Sequence, residues 1–74
     1  IDGVYVGVLF REMTEPNWVK ISMRSRNGID VNNVATKYGG GGHKYAAGCE
    51  IKGNIEDVQK LILNEIEKSL LKQK

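Results

Sequence analysis

Four consecutive glycines, Gly39 to Gly42, constrain this chain more than any other stretch. Glycine has no side chain to bury, and ordering it costs more backbone entropy than ordering any other residue. A folded domain that fixes such a run gains something from the bare main chain. One such gain is a concavity of N–H groups in which an anion sits. His43 and Lys44 follow at once, and both carry donors suited to phosphate oxygens. The run is therefore expected to be an oxyanion seat for a nucleotide phosphate. The alternative is a flexible linker. Its flanks argue against that. The run is entered from an apolar periodic segment ending at Tyr38. It is left through Ala46, Ala47 and Gly48, which are small enough for close backbone packing. Neither G-x-G-x-x-G nor G-x-x-x-x-G-K-[ST] fits in register, so the loop belongs to another class.

Charge is distributed to match. The formal net charge is +2. Residues 1–16 set Arg11 against Asp2, Glu12 and Glu15. Residues 49–74 balance five lysines with five acids. Residues 17–48 set Lys20, Arg24, Arg26, Lys37 and Lys44 against Asp30 alone, an excess of +4. The excess sits with the glycine run, which favours an anionic ligand there. It is too small for many phosphate contacts along a duplex.

In order along the chain, Gly3 to Arg11 is a run of strand formers with little alternation, expected to be a strand buried on both faces. Gly7 within it marks a bulge or a close neighbour. Glu12 to Asn17 is a turn. Trp18 to Ser25 alternates, with Val19, Ile21 and Met23 on one side and Trp18, Lys20, Ser22 and Arg24 on the other. The two strands make an antiparallel hairpin. Ser22 and Arg24 share a face and could hold a phosphate together. Taken alone, the pair reads as a solvated strand end.

Asn27-Gly28 is a turn. Val31, Val34, Ala35 and Tyr38 give a helix one apolar face, with Asp30 or Asn32 as N-cap and Gly39 as the stop. Gly48 to Lys52 is a short strand with Cys49 and Ile51 inward. Gly53-Asn54 turns into a last helix with Ile55, Val58, Leu61, Ile62, Ile66 and Leu70 on its apolar face. Glu56 and Asp57 near its start, and Lys72 and Lys74 near its end, suit its dipole. The fold expected is α+β, order β-β-α-β-α, with a small three-stranded mixed sheet and two helices in a single domain over 1–74. A first strand buried on both sides implies an uncovered surface and self-association.

The lone Cys49 cannot form an internal disulfide and suits a reducing, cytoplasmic setting as a buried apolar residue. No apolar run has the length of a membrane span, so no membrane partner is expected. Aspartates stand only at 2, 30 and 57, and His43 is the only histidine.

The residues Gly40-Gly41-Gly42-His43 followed by Ala46-Ala47-Gly48, with Ser22-Met23-Arg24-Ser25 and Asp30-Val31-Asn32 before them, resemble the DHHA1 domain. The resemblance covers roughly residues 4 to 52. That domain is the C-terminal substrate-binding module of DHH-family phosphoesterases, and this version looks similar to the nanoRNase/pAp-phosphatase group. The resemblance implies an N-terminal DHH domain of the same parent chain, which holds two Mn²⁺ ions and cleaves a phosphodiester. It implies phosphate contacts from Gly40, Gly41, Gly42, His43 and Arg24, with Ser22 or Ser25 assisting. The ligand would be a short RNA or DNA oligonucleotide or a nucleotide phosphate. Two metal ions about 3.5–4 Å apart need a carboxylate and imidazole cluster that this chain does not offer. The chain is thus expected to bind without cutting and to need no cofactor of its own. By the same likeness it starts inside the family's domain, as a C-terminal fragment of it. Alternatives are a free-standing nucleic-acid-binding module, the substrate domain of a cyclic-dinucleotide phosphodiesterase, or a packing and dimerisation domain.

Overall fold

The computed structural model describes residues 5–26 and 28–72. Gly3 and Val4 of the expected first strand, Asn27 of the expected turn, and Lys74 lie outside the described residues. So does the side chain of Lys72.

The elements are β1 (Tyr5–Glu12), β2 (Trp18–Arg26), α1 (Val31–Thr36), β3 (Gly41–His43), β4 (Ala46–Lys52) and α2 (Ile55–Lys72). The α+β class and both helices are as expected. The sheet differs in two ways. It has four strands among the described residues, in the order β1-β2-β4-β3, and every pairing is antiparallel rather than mixed. The additional strand, β3, is the second half of the glycine run with His43. His43 and Ala46 close a hairpin through Lys44 and Tyr45, so Gly41 to His43 fold back along β4. Glycine is a poor strand former, and nothing local in the sequence marks that pairing.

β2 behaves as its alternation dictates. Val19, Ile21 and Met23 are buried, and Lys20, Ser22, Arg24 and Arg26 are exposed. With Ile29, Val31, Val34, Ala35, Cys49, Val58, Ile62 and Ile66 they form the core between sheet and helices. β1 is not buried on both faces. Val6, Val8 and Phe10 pack partly against the core, while Tyr5 and Leu9 are exposed. Its register with β2 is unbroken from Tyr5 to Glu12, so Gly7 is no bulge. It is a close-neighbour glycine, since a Cβ there would stand 2.8 Å from Tyr5 Oη.

Both helices start where expected. Asp30, not Asn32, caps α1, its carboxylate accepting from Asn33 N at 3.1 Å. Asn54 caps α2, accepting from Asp57 N at 2.8 Å. After α1 the chain turns at Gly39, φ +81°. Gly39 N–H donates to Thr36 O and Gly40 N–H to Ala35 O. This double bond pattern satisfies the last carbonyls of a helix.

Candidate functional site

One side of the sheet carries both helices, and strand alternation assigns the residues of the other. The cross-strand register aligns Gly7, Arg24, Ala46 and His43 in one row of this open face, and Leu9, Ser22, Gly48 and Gly41 in the next. Arg24 and His43, separated by eighteen residues of chain, thus stand on one face with only the methyl of Ala46 between them. Their Cα atoms are about 10 Å apart by strand spacing, within joint reach of a single anion. Ser22 and Gly41 flank the bare Gly48 in the same way. The result is a shallow trough with a floor of small residues and polar walls.

The same register says where the main-chain groups point. Ser25 N–H donates to Tyr45 O at 3.0 Å, one step beyond the Arg24–Ala46 pair. Bonded and non-bonded pairs alternate in an antiparallel ladder. Ala46 and Gly48 therefore turn their peptide groups toward β3, and bond to His43 and Gly41. The expected concavity of unpaired glycine amides does not form. Gly39 and Gly40 donate to α1, and Gly41 and His43 face β4. Gly42 alone in the run directs its N–H and C=O away from the sheet, at an exposed edge.

The four glycines have separate reasons. Gly39 has positive φ. A Cβ on Gly40 would overlap the Gly48 carbonyl and stand 2.6 Å from Cys49 Cβ. Gly42 combines φ +148° with Ala46 O at 2.6 Å from any added Cβ. Gly41 has neither constraint. The nearest atom to a Cβ there is Asn32 Oδ1, at 4.0 Å. That oxygen is itself buried with no hydrogen-bond partner. Asn32 is a residue to which sequence reasoning gave no site role, since it entered as an alternative cap and as part of the Asp30-Val31-Asn32 stretch of the resemblance. Its position beside the glycine run depends on how α1 packs on β3.

Of the residues expected to act together, the fold brings Arg24, Ser22, Gly41 and His43 onto one face. Gly40 lies at the α1 end, packed on β4, and Gly42 lies at the edge. Ser25 is turned to the other side of the sheet, where its hydroxyl donates to Ile29 O at 2.6 Å. Lys44 and Tyr45 form the hairpin tip, with Lys44 Nζ 5.5 Å from the Tyr45 ring centroid.

Two open grooves extend the trough. One of about 490 Å³ runs beside Gly39, Gly40, Gly41 and Gly48 to Trp18, Lys20 and Glu50. The other, about 400 Å³, lies on the Arg24 and Ser22 side and is lined by Tyr5, Gly7, Val8 and Leu9.

The titration of Glu65, Tyr38 and Cys49 is shifted. Lys37 Nζ bonds Glu65 Oε1 at 2.9 Å and holds that carboxyl below the ordinary range. Tyr38 Oη donates to Glu65 Oε2 at 3.3 Å, and burial first, then the Glu65 charge, pushes the phenol up. Burial also pushes the Cys49 thiol up, which suits an inert packing residue better than a nucleophile. Among the described residues, no group of three or more His, Cys, Asp or Glu is placed to hold a metal ion. The described residues therefore do not fit the Mn²⁺ pair. Among the described residues, no helix is long and apolar enough to cross a membrane.

Comparison with known proteins follows the same lines. A family model for the DHHA1 domain matches residues 1–70. The bifunctional oligoribonuclease and PAP phosphatase NrnA of Thermus thermophilus is 38% identical over 71 residues, covering 95% of this chain and 21% of that protein. The protein of the same name from Mycoplasma pneumoniae is 44% identical over 68 residues, covering 84% of this chain and 20% of that one. That from Mycoplasma genitalium is 52% identical over 44 residues, covering 57% of this chain and 14% of that one. The chain spans between 14% and 21% of the length of these relatives.

Proposed function

Because this chain belongs to the DHHA1 domain family, we propose that it is the phosphate-binding module of a DHH-family phosphodiesterase of the oligoribonuclease or pAp-phosphatase type. Its ligand is the phosphate of a nucleotide or short oligonucleotide. The observation that carries this reading is Gly41, a glycine for which the fold has no steric need. It lies on the open face beside His43, in the row that holds Ser22. A bare main chain at that point lets a ligand lie against the strand.

Each neighbour has a chemical part. The Arg24 guanidinium takes two phosphate oxygens at once. His43 and Ser22 donate from the flanks, and Gly42 N–H offers a donor at the edge. The acceptor left over on Asn32 suits a ligand hydroxyl or a bridging water. Hydrolysis, and the Mn²⁺ that would serve it, belong in this reading to an N-terminal DHH domain of the parent chain. The trough orients the far end of the substrate and offsets its charge.

The test is a titration of the chain with pAp and with single-stranded RNAs of increasing length. Binding should need a terminal phosphate and saturate at short length. Arg24→Ala should weaken it at least about tenfold, as loss of a charge-assisted bond does, with no change in melting temperature. Unchanged affinity in that variant removes the reading. Affinity that grows with RNA length and falls steeply with salt points instead to a free-standing nucleic-acid-binding module.

A further inference from the structure

We propose that Tyr5 and Leu9, on the open face of β1, form a seat for the nucleobase attached to the bound phosphate; this rests on the phosphate reading of Arg24. The open face is mostly polar and basic, yet Tyr5 is 60% and Leu9 66% exposed on it. On the same side of one strand, with only the bare Gly7 between them, they form one apolar patch beside Arg24 on a face rich in Arg and Lys. Their arrangement defines its shape. Gly7 stands between them in the same strand, and the Tyr5 ring folds back over its bare backbone. Ring atoms Cε2 and Cζ lie 3.3 Å from where a Gly7 Cβ would be. The ring is thus supported from below and open above.

Gly7 pairs directly with Arg24, and Leu9 with Ser22. The same groove of about 400 Å³ touches Tyr5, Gly7, Leu9, Ser22 and Arg24. Aromatic platform and guanidinium therefore border one continuous depression. A nucleotide matches that pairing of chemistries, with an anionic end for Arg24 and a flat π face for Tyr5. An inorganic phosphate or a sugar phosphate fills only half of it.

The experiment compares two probes on the full chain: adenosine 5′-monophosphate and ribose 5-phosphate, which lacks the base. The wild type should bind the nucleotide more tightly. Tyr5→Ala should weaken the nucleotide by about tenfold, in the range of one lost base stack, and leave ribose 5-phosphate unchanged. Tyr5→Phe should restore the nucleotide, since the ring and not the hydroxyl stacks. Arg24→Ala should weaken both probes. If Tyr5→Ala weakens both equally or neither, the base seat is refuted while the phosphate site stands. If Arg24→Ala changes neither probe, the phosphate reading fails first and takes the base seat with it.

Discussion

Gly40 and Gly41 are neighbours that lack a side chain for opposite reasons. Gly40 is pressed against β4, where a methyl would overlap the Gly48 carbonyl and crowd Cys49. Gly41 faces open space apart from Asn32 Oδ1. Gly40→Ala should therefore lower the melting temperature markedly or prevent folding, because backbone rather than a flexible side chain blocks the methyl. Gly41→Ala should melt close to wild type and still lose phosphate affinity. Thermal melts with a parallel phosphate titration decide it, and equal stability of the two variants would contradict the packing account. At this scale the sequence showed that the glycines matter but not which served what. The partners of each, Cys49, Ala46 and Asn32, come from other elements. Ser25 shows the same limit. It stands next to Arg24 in sequence, yet alternation sends it to the opposite face and Ile29 O takes its hydroxyl.

Among the elements, α1 decides where the trough lies. Only six residues long, it is held at both ends. Val31 N–H donates to Lys44 O in the hairpin tip, and Gly40 N–H returns to Ala35 O. Lys37 and Tyr38 then tie its end to Glu65 on α2. The Glu65 carboxyl is depressed in the fold, chiefly by its bond to Lys37. This contact contributes stability that is present above the ordinary carboxylate range and is lost as pH falls through the depressed folded value. Lys37 is about half exposed, so the gain is at most about 1 kcal/mol. Glu65→Gln should be slightly less stable at neutral pH and converge with wild type in acid, as followed by urea melts across pH. A constant gap at all pH values would show that the ion pair contributes nothing. The caps, the alternation of β2 and the inward Val58, Ile62 and Ile66 of α2 were legible because each is a local pattern, whereas Leu61 and Leu70, expected on the same apolar face, are exposed. β3 was not legible, because a glycine strand exists only by pairing with β4. The continuous apolar run of β1 suggests burial on two sides, but its outward residues Tyr5 and Leu9 are exposed, because the helices cover only one face of the sheet.

At the scale of the molecule, one layer of helices covers one face of one sheet, and the core between them is small. Ile62 is fully buried where α2 meets that core. Ile62→Ala should cost about 2–5 kcal/mol, a large share of the stability a domain this size has to lose. Chemical denaturation should show most of the fold lost. A loss under about 1 kcal/mol would mean that α2 is not integral to the core. The uncovered face carries three of the five Lys and Arg residues of 17–48. Lys20, Arg24 and Arg26 of β2 are exposed on it, with His43 two strands away.

The sequence by itself determined the class of the fold, the helix ends, the inward side of β2 and the placement of charge around the glycine run. Each of these is a matter of neighbours a few residues apart. Only the tertiary structure decided which residues meet. Arg24 and His43 come together because β4 lies between their strands, and Tyr5 joins them because β1 pairs with β2 in one register. Cross-strand contact depends on pairing partner and register. Those are set by the burial of the whole apolar set at once, which no short stretch of the chain encodes.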